Sequence, residues 1–186
     1  MKKRGKQKGI VDTVVSMFFL IFAVLLIAYM LQIYQFNATR TFTEDALAAS
    51  NLASAVIDIQ EYGITHNIVI ADPQAAYETY KRALRTNMML DDDWYSQNTL
   101  AISGQVEILD YVVYNVVGQD VQITSFGQNP YITTITGGLG SVSAPNGIQI
   151  ESTSVYSRIT FPVEGILGVS AVAEKDKLVD IVGGQL

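Results

Sequence analysis

The sequence predicts an α+β fold, in which one long N-terminal helix and one short extra helix precede a C-terminal antiparallel β-sheet. Three observations predict it. Residues 10–62 hold neither Gly nor Pro, 53 positions without a strong helix breaker in a chain that carries 14 Gly. A second helical pattern opens at Asp72-Pro73. Beyond Ser103 the apolar period falls to two, and the composition turns to Val, Ile, Tyr and Thr between Gly-rich turns. Helices and strands collected in separate runs describe an α+β domain rather than a parallel doubly wound sheet.

The first element begins behind a basic leader, residues 1–9, which carries Lys2, Lys3, Arg4, Lys6 and Lys8. No charge then occurs from Thr13 to Thr39, a run of 27 residues, whereas roughly 20 apolar residues at about 1.5 Å rise cross the hydrocarbon core of a bilayer. Residues 10–36 are therefore expected to form a transmembrane helix, and the lipid bilayer is the first expected partner. A cleavable signal peptide has an apolar region of roughly 7–15 residues followed at once by small residues. Here Ile33, Tyr34, Gln35 and Phe36 follow instead, so the helix is expected to be retained. Positive charge packed against the span holds that end in the cytoplasm. The expectation is a single-pass protein of the cell membrane, N-terminus cytoplasmic and C-terminal domain extracytoplasmic.

Residues 37–62 are expected to continue the helix outside the membrane and to end at Glu61-Tyr62-Gly63. Phe42, Ala46, Ala49, Ala53 and Val56 recur at steps of four and three, which places them on one face as a packing surface of the spine. Small neighbours such as Ala48, Ser50 and Ser54 would let the chain's own sheet or a neighbouring helix approach closely. Helical from residue 10 to 57, the rod would be roughly 70 Å long.

Residues 63–186 are expected to be the extracytoplasmic α+β domain. Asp72 can accept from free N–H groups while Pro73 takes the first helical position, which opens a helix over about residues 73–90. Pro73, Tyr77, Tyr80, Leu84 and Met88 mark its inner face, with Glu78 in reach of Lys81 and Arg82 on the other. Strands are expected over about residues 105–182. Val106 to Val117 and Val121 to Thr124 form a hairpin about Gly118-Gln119-Asp120, and Tyr131 to Thr136 is a short strand. Asn146-Gly147 marks a turn. Residues 148–161 read as the longest strand, with a bulge near Ser152–Ser154 to reconcile a change of phase. Residues 167–182 supply the last strand or strand pair, with Val169, Ala171 and Ala173 alternating.

Charge and chemistry narrow the function. Five of the twelve basic residues and one of the eighteen acidic ones precede or open the span, leaving seven against seventeen, a net charge of about −10 outside. Such a surface excludes nucleic acid as a partner. There is no Cys, which removes disulfide frameworks and thiolate metal sites. His66 is the only histidine, and no phosphate loop or nucleophile elbow is present. A Ser–Lys pair using Lys175 or Lys177 is set against a simple solvated cluster in Glu174-Lys175-Asp176-Lys177. Asp91-Asp92-Asp93 lacks the spacing of a Ca²⁺ loop and reads as a solvated turn. Asn37-Ala38-Thr39 fits a glycosylation sequon beside the membrane. No catalytic residue, cofactor site or metal site is expected, and the chain is read as not an enzyme.

Asp12 has two readings: a cap on a helix starting at Thr13, or an early acid inside a processed helix. The second turns on Gly9 and Ile10, where a basic leader ending in Gly meets an apolar helix. On Lys2-Lys3-Arg4-Gly5-Lys6-Gln7-Lys8-Gly9, the span that follows and the unbroken helix into an exported sheet, the chain resembles the type IV pilin-like proteins. The likeness is to minor pseudopilins of the Tad type in bacterial pilus loci, Gram-positive envelopes included. The resemblance implies cutting between Gly9 and Ile10, and an acid that registers subunits in the membrane before assembly. In that family the acid is at the fifth mature position; here that position is Val14 and the acid, Asp12, is at the third. The implied function is a non-enzymatic pseudopilin-like component of a pilus or secretion-type surface assembly, partnered through its long helix by other pilin-like subunits or envelope proteins. The alternative is a static membrane-anchored binding or adaptor module of the cell envelope.

Overall fold

The computed structural model describes residues 4–98, 101–165, 168 and 170–181, with side chains from residue 12 onward. Three helices and five strands follow in order: α1 (Arg4–Ser54), α2 (Ile59–Thr65), α3 (Pro73–Asn87), β1 (Glu107–Val117), β2 (Asp120–Gly127), β3 (Tyr131–Ile135), β4 (Ser154–Glu164) and β5 (Ser170–Asp180). The fold is α+β. All strand pairs are antiparallel in the order β3-β2-β1-β4-β5.

α1 is the 51-residue rod, and it ends at Ser54 rather than near Tyr62. Tertiary bonds set that end. Ser54 Oγ donates to Asn51 O at 2.7 Å and accepts from Tyr111 Oη at 2.8 Å, while Ala55 N turns back to Leu52 O. Ile57 then bridges Ile70, and Asp58 restarts a helix by accepting from Gln60 N and Glu61 N, both at 2.9 Å. Gly63, expected to end the rod, lies inside α2, and the chain leaves α2 at His66 in the left-handed conformation, φ 60°.

α3 follows its sequence signals closely. Asp72 accepts from Gln74 N at 2.9 Å and Ala75 N at 3.0 Å, and Pro73 fills the first position. Its buried face runs through Ala76, Tyr80 and Leu84 and on to Met88. Tyr77 is half-buried and stacks on Phe126 of β2 at 4.9 Å between centroids.

β1 is the centre of the sheet, and both of its faces are buried. Tyr111 and Val113 join Leu47 of α1 and Tyr80 and Leu84 of α3 in one core. Val112 and Tyr114, on the other face, join Val142, Ala144 and Ile150 in a second. The sheet is thus covered by helices on one side and by the segment 137–153 on the other. The expected strand over 148–161 shortens accordingly: residues 148–153 leave the sheet, Ile150 N bonds Val142 O at 2.9 Å, and Ile148 and Ile150 belong to this covering layer. No bulge falls at Ser152–Ser154. The register shift is instead between Ile108 and Asp110, where β1 meets β4. The displaced Leu109 carbonyl is met by Gln128 N at 3.0 Å, and it crowds Gly127, whose φ of 106° suits only glycine. The last strand is one strand, β5, not a pair. Val169, one of its expected alternating residues, lies outside the described residues.

Candidate functional site

α1 divides into two parts with opposite environments. From Asp12 to Tyr34 its side chains are exposed almost all round, including Phe18, Phe19, Phe22 and Met30, and the most apolar window has a mean hydropathy of 2.8 with nothing buried. An uninterrupted apolar cylinder of this length has no cover within the chain, and covering it in an apolar medium is favourable by about 25 cal/mol per Å². The helix is therefore compatible with a single-pass membrane anchor.

From Thr39 to Ser54 the same helix is built into the domain. Thr39, Thr43, Ala46, Leu47, Ser50, Asn51 and Ser54 are buried. At about 100° per residue this face is centred about a quarter-turn from the expected one. Phe42 and Ala46 of the expected face do pack on the domain core. Ala49, Ala53 and Val56 do not: they are exposed and, with Leu52, form an open apolar strip. The physical reason is that α3 and the sheet come close, and hydroxyl and small side chains fit that gap better than large apolar ones. Threonines and serines at 39, 43 and 50 return their hydroxyls to the carbonyl four residues back, at 2.6 to 2.9 Å, so they enter the interface already satisfied. Asn87 of α3 then reaches Ser50 Oγ at 3.0 Å.

Two buried amides tie the layers together, and neither has a sequence signal beyond being polar within an apolar pattern. Asn51 Nδ2 donates to Lys177 O at 3.0 Å and Val155 O at 3.4 Å, joining α1 to β5 and β4. Asn115 of β1 accepts from Ile70 N at 2.8 Å and donates to Ile70 O at 3.1 Å, substituting for a neighbouring strand.

The residues weighed for chemistry fall apart in space. His66 is an exposed helix terminus whose Nδ1 lies 3.2 Å from Tyr62 O. Asp91 closes a turn by accepting from Asp93 N, Tyr95 N and Gln97 Nε2, Asp92 pairs with Arg85, and no cluster able to hold a metal occurs among the described residues. The run 174–177 is more than a solvated cluster. Lys175 pairs with Glu44 of α1, Glu174 faces Arg158 at 3.7 Å, and Asp176 accepts from Asn146 Nδ2 at 2.9 Å. Lys175, with Arg40 on the same carboxylate, holds the Glu44 carboxyl below the usual carboxylate range.

Asp12 is not a helix cap, because α1 begins at Arg4 and Asp12 lies exposed inside it. Gly9 and Ile10 are in the helical backbone of α1, their side chains outside the described ones. Asn37 is exposed on the helix just before the domain. Beside it, α1, β4 and β5 enclose a cleft of about 310 Å³ lined by Phe36, Thr39, Arg40, Thr43, Phe161, Val163, Ala173, Glu174 and Lys175. No family model, curated protein or solved structure matches the chain.

Proposed function

We propose that the protein is a non-enzymatic, membrane-anchored subunit of a pseudopilin-like surface assembly, with its spine helix as the assembling element. One observation carries the reading: α1 is a single helix with an apolar stem, a face committed to its own domain and a second apolar face left open at Ala49, Leu52 and Ala53, with Val56 exposed just beyond its end. A helix that served only as a tether needs the stem and the domain face. The open strip is surplus to a tether and is the kind of small-residue surface along which helices approach closely.

The cytoplasmic leader would be removed between Gly9 and Ile10, leaving Asp12 at the third position of the new N-terminus as the acid that registers subunits in the membrane. N-terminal sequencing of the protein from sheared cells tests this. Ile10 as first residue, in material released as filaments, is the expected result; an intact Met1 on a detergent-soluble monomer would sink the reading in favour of a static envelope adaptor.

A further inference from the structure

We propose that the cleft between α1 and the β4–β5 end of the sheet seats a phospholipid from the leaflet on the domain's side of the bilayer. The proposal rests on the reading of α1 as a membrane anchor and adds a specific lipid contact to it. Depth comes first. The uncharged run 13–39 spans about 40 Å at 1.5 Å per residue, which matches a bilayer with its headgroup layers, so Arg40 stands at about the outer phosphate level. The cleft starts there. β5 runs alongside α1, from Ala173 at the cleft to Lys177 at Asn51, so the start of β5 is its membrane-side end. Val172, next to Ala173, is 76% exposed, an apolar side chain better placed against lipid than water.

Charge supplies the second argument. The exported part carries about −10, yet two of its seven basic residues, Arg40 and Lys175, meet at this cleft. They share one carboxylate, Glu44, which leaves one positive charge over. Glu174 does not cancel it, because its carboxylate is turned to Arg158, on the opposite face of the sheet from Lys175. Asp45 is exposed on α1 and does not line the cleft. Below the cations the floor is apolar: Phe36, Phe161 and Val163. An anionic phosphate at Arg40 and Lys175, with the first acyl methylenes on Phe36 and Val163, matches both halves, and Phe36 makes that floor continuous with the lipid-facing stem. Arg40 is free to follow the phosphate, since its side chain is 69% exposed and its alkyl stem can lie on the apolar floor.

The test uses the full chain reconstituted in nanodiscs of phosphatidylglycerol and phosphatidylcholine, then moved into mild detergent, with retained phospholipid counted by native mass spectrometry. The wild type should keep phospholipid in stoichiometric amount. Arg40→Gln with Lys175→Gln should retain it about tenfold less well, as expected for lost charge-assisted contacts. Ala173→Phe, which fills the cleft, should do the same, and near-UV circular dichroism checks that each variant is folded. Equal retention in the charge variant, or none in the wild type, overturns the lipid seat. A polypeptide rather than lipid captured by a photo-crosslinking residue at position 173 also overturns it. Release of the wild type from cell membranes by carbonate overturns the anchor reading itself, a different result from an anchored chain without retained lipid.

Discussion

At the scale of single residues, Asn51 holds the rod to the sheet. It is fully buried, and its Nδ2 serves carbonyls on two adjacent strands. Removing it takes a donor from both carbonyls, while its own Oδ1 has no partner to lose. Asn51→Ala should therefore cost about 1 kcal/mol, the net worth of a buried hydrogen bond, read as a lower urea midpoint for the full chain in detergent. An unchanged midpoint would mean that the Asn51 bonds do not hold the helix to the sheet. Tyr111, in contact with Ser54 at the end of α1, gives a pH signature. Burial raises its phenol from 10.0 to about 12, against a smaller opposite pull from the Ser54 bond, and burial also raises Tyr80 and Tyr114. The folded state therefore favours the protonated phenols. Their contribution is fully present below about pH 10 and is lost as pH rises toward 12. Spectrophotometric titration should show these tyrosines ionising only as near-UV dichroism collapses above pH 10. Ionisation of Tyr80, Tyr111 and Tyr114 in a chain that keeps its near-UV dichroism would contradict the burial.

At the scale of elements, the two faces of α1 make opposite predictions for the same substitution. Ser50 is buried and bonded to Asn87 of α3, whereas Ala49 next to it is exposed. Ser50→Leu should destabilise by about 1–3 kcal/mol or more through overpacking, while Ala49→Leu should stay within about 0.5 kcal/mol. Thermal unfolding in detergent distinguishes them, and the reverse order would place the helix a quarter-turn from where it is described. The quarter-turn between the expected packing face and the face that the domain buries has the same origin. Apolar periodicity follows Phe42, Ala46, Ala49, Ala53 and Val56, but the buried face is made of Thr39, Thr43, Ser50, Asn51 and Ser54, whose polarity is cancelled by bonds that no local pattern shows. α3 was legible because Asp72 and Pro73 specify its start locally. So was the β1–β2 hairpin, where Gly118 supplies φ 62°. The end of α1 was half legible: Asp58 is a capping residue, but Ser54 stops the helix through Tyr111, 57 positions away. The cleft was not legible at all, since Glu44 and Lys175 meet only through the packing of α1 on β5.

At the scale of the whole molecule, the chain is a rod with a domain clasped to one side of its C-terminal third. That geometry leaves a choice that stability measurements alone do not resolve. If the open strip of Ala49, Leu52, Ala53 and Val56 faces water in the working protein, charges there are harmless. If it packs on another spine, the same charges are buried without partners. Ala49→Glu with Ala53→Glu separates the cases, because Glu is a good helix former and both sites are exposed in the single chain. The thermal midpoint of the detergent-extracted monomer should shift by no more than about 0.5 kcal/mol equivalent. Assembly should fail outright, since each unpaired buried charge costs several kcal/mol at every subunit contact. Shear-released filaments counted from cells expressing the variant give the readout, with membrane content of the chain as the control. Filaments at the wild-type level would show that the open strip is not the assembling surface. Loss of filaments with a normal amount of anchored, folded chain would place the assembling surface on the face of α1 that the domain leaves uncovered.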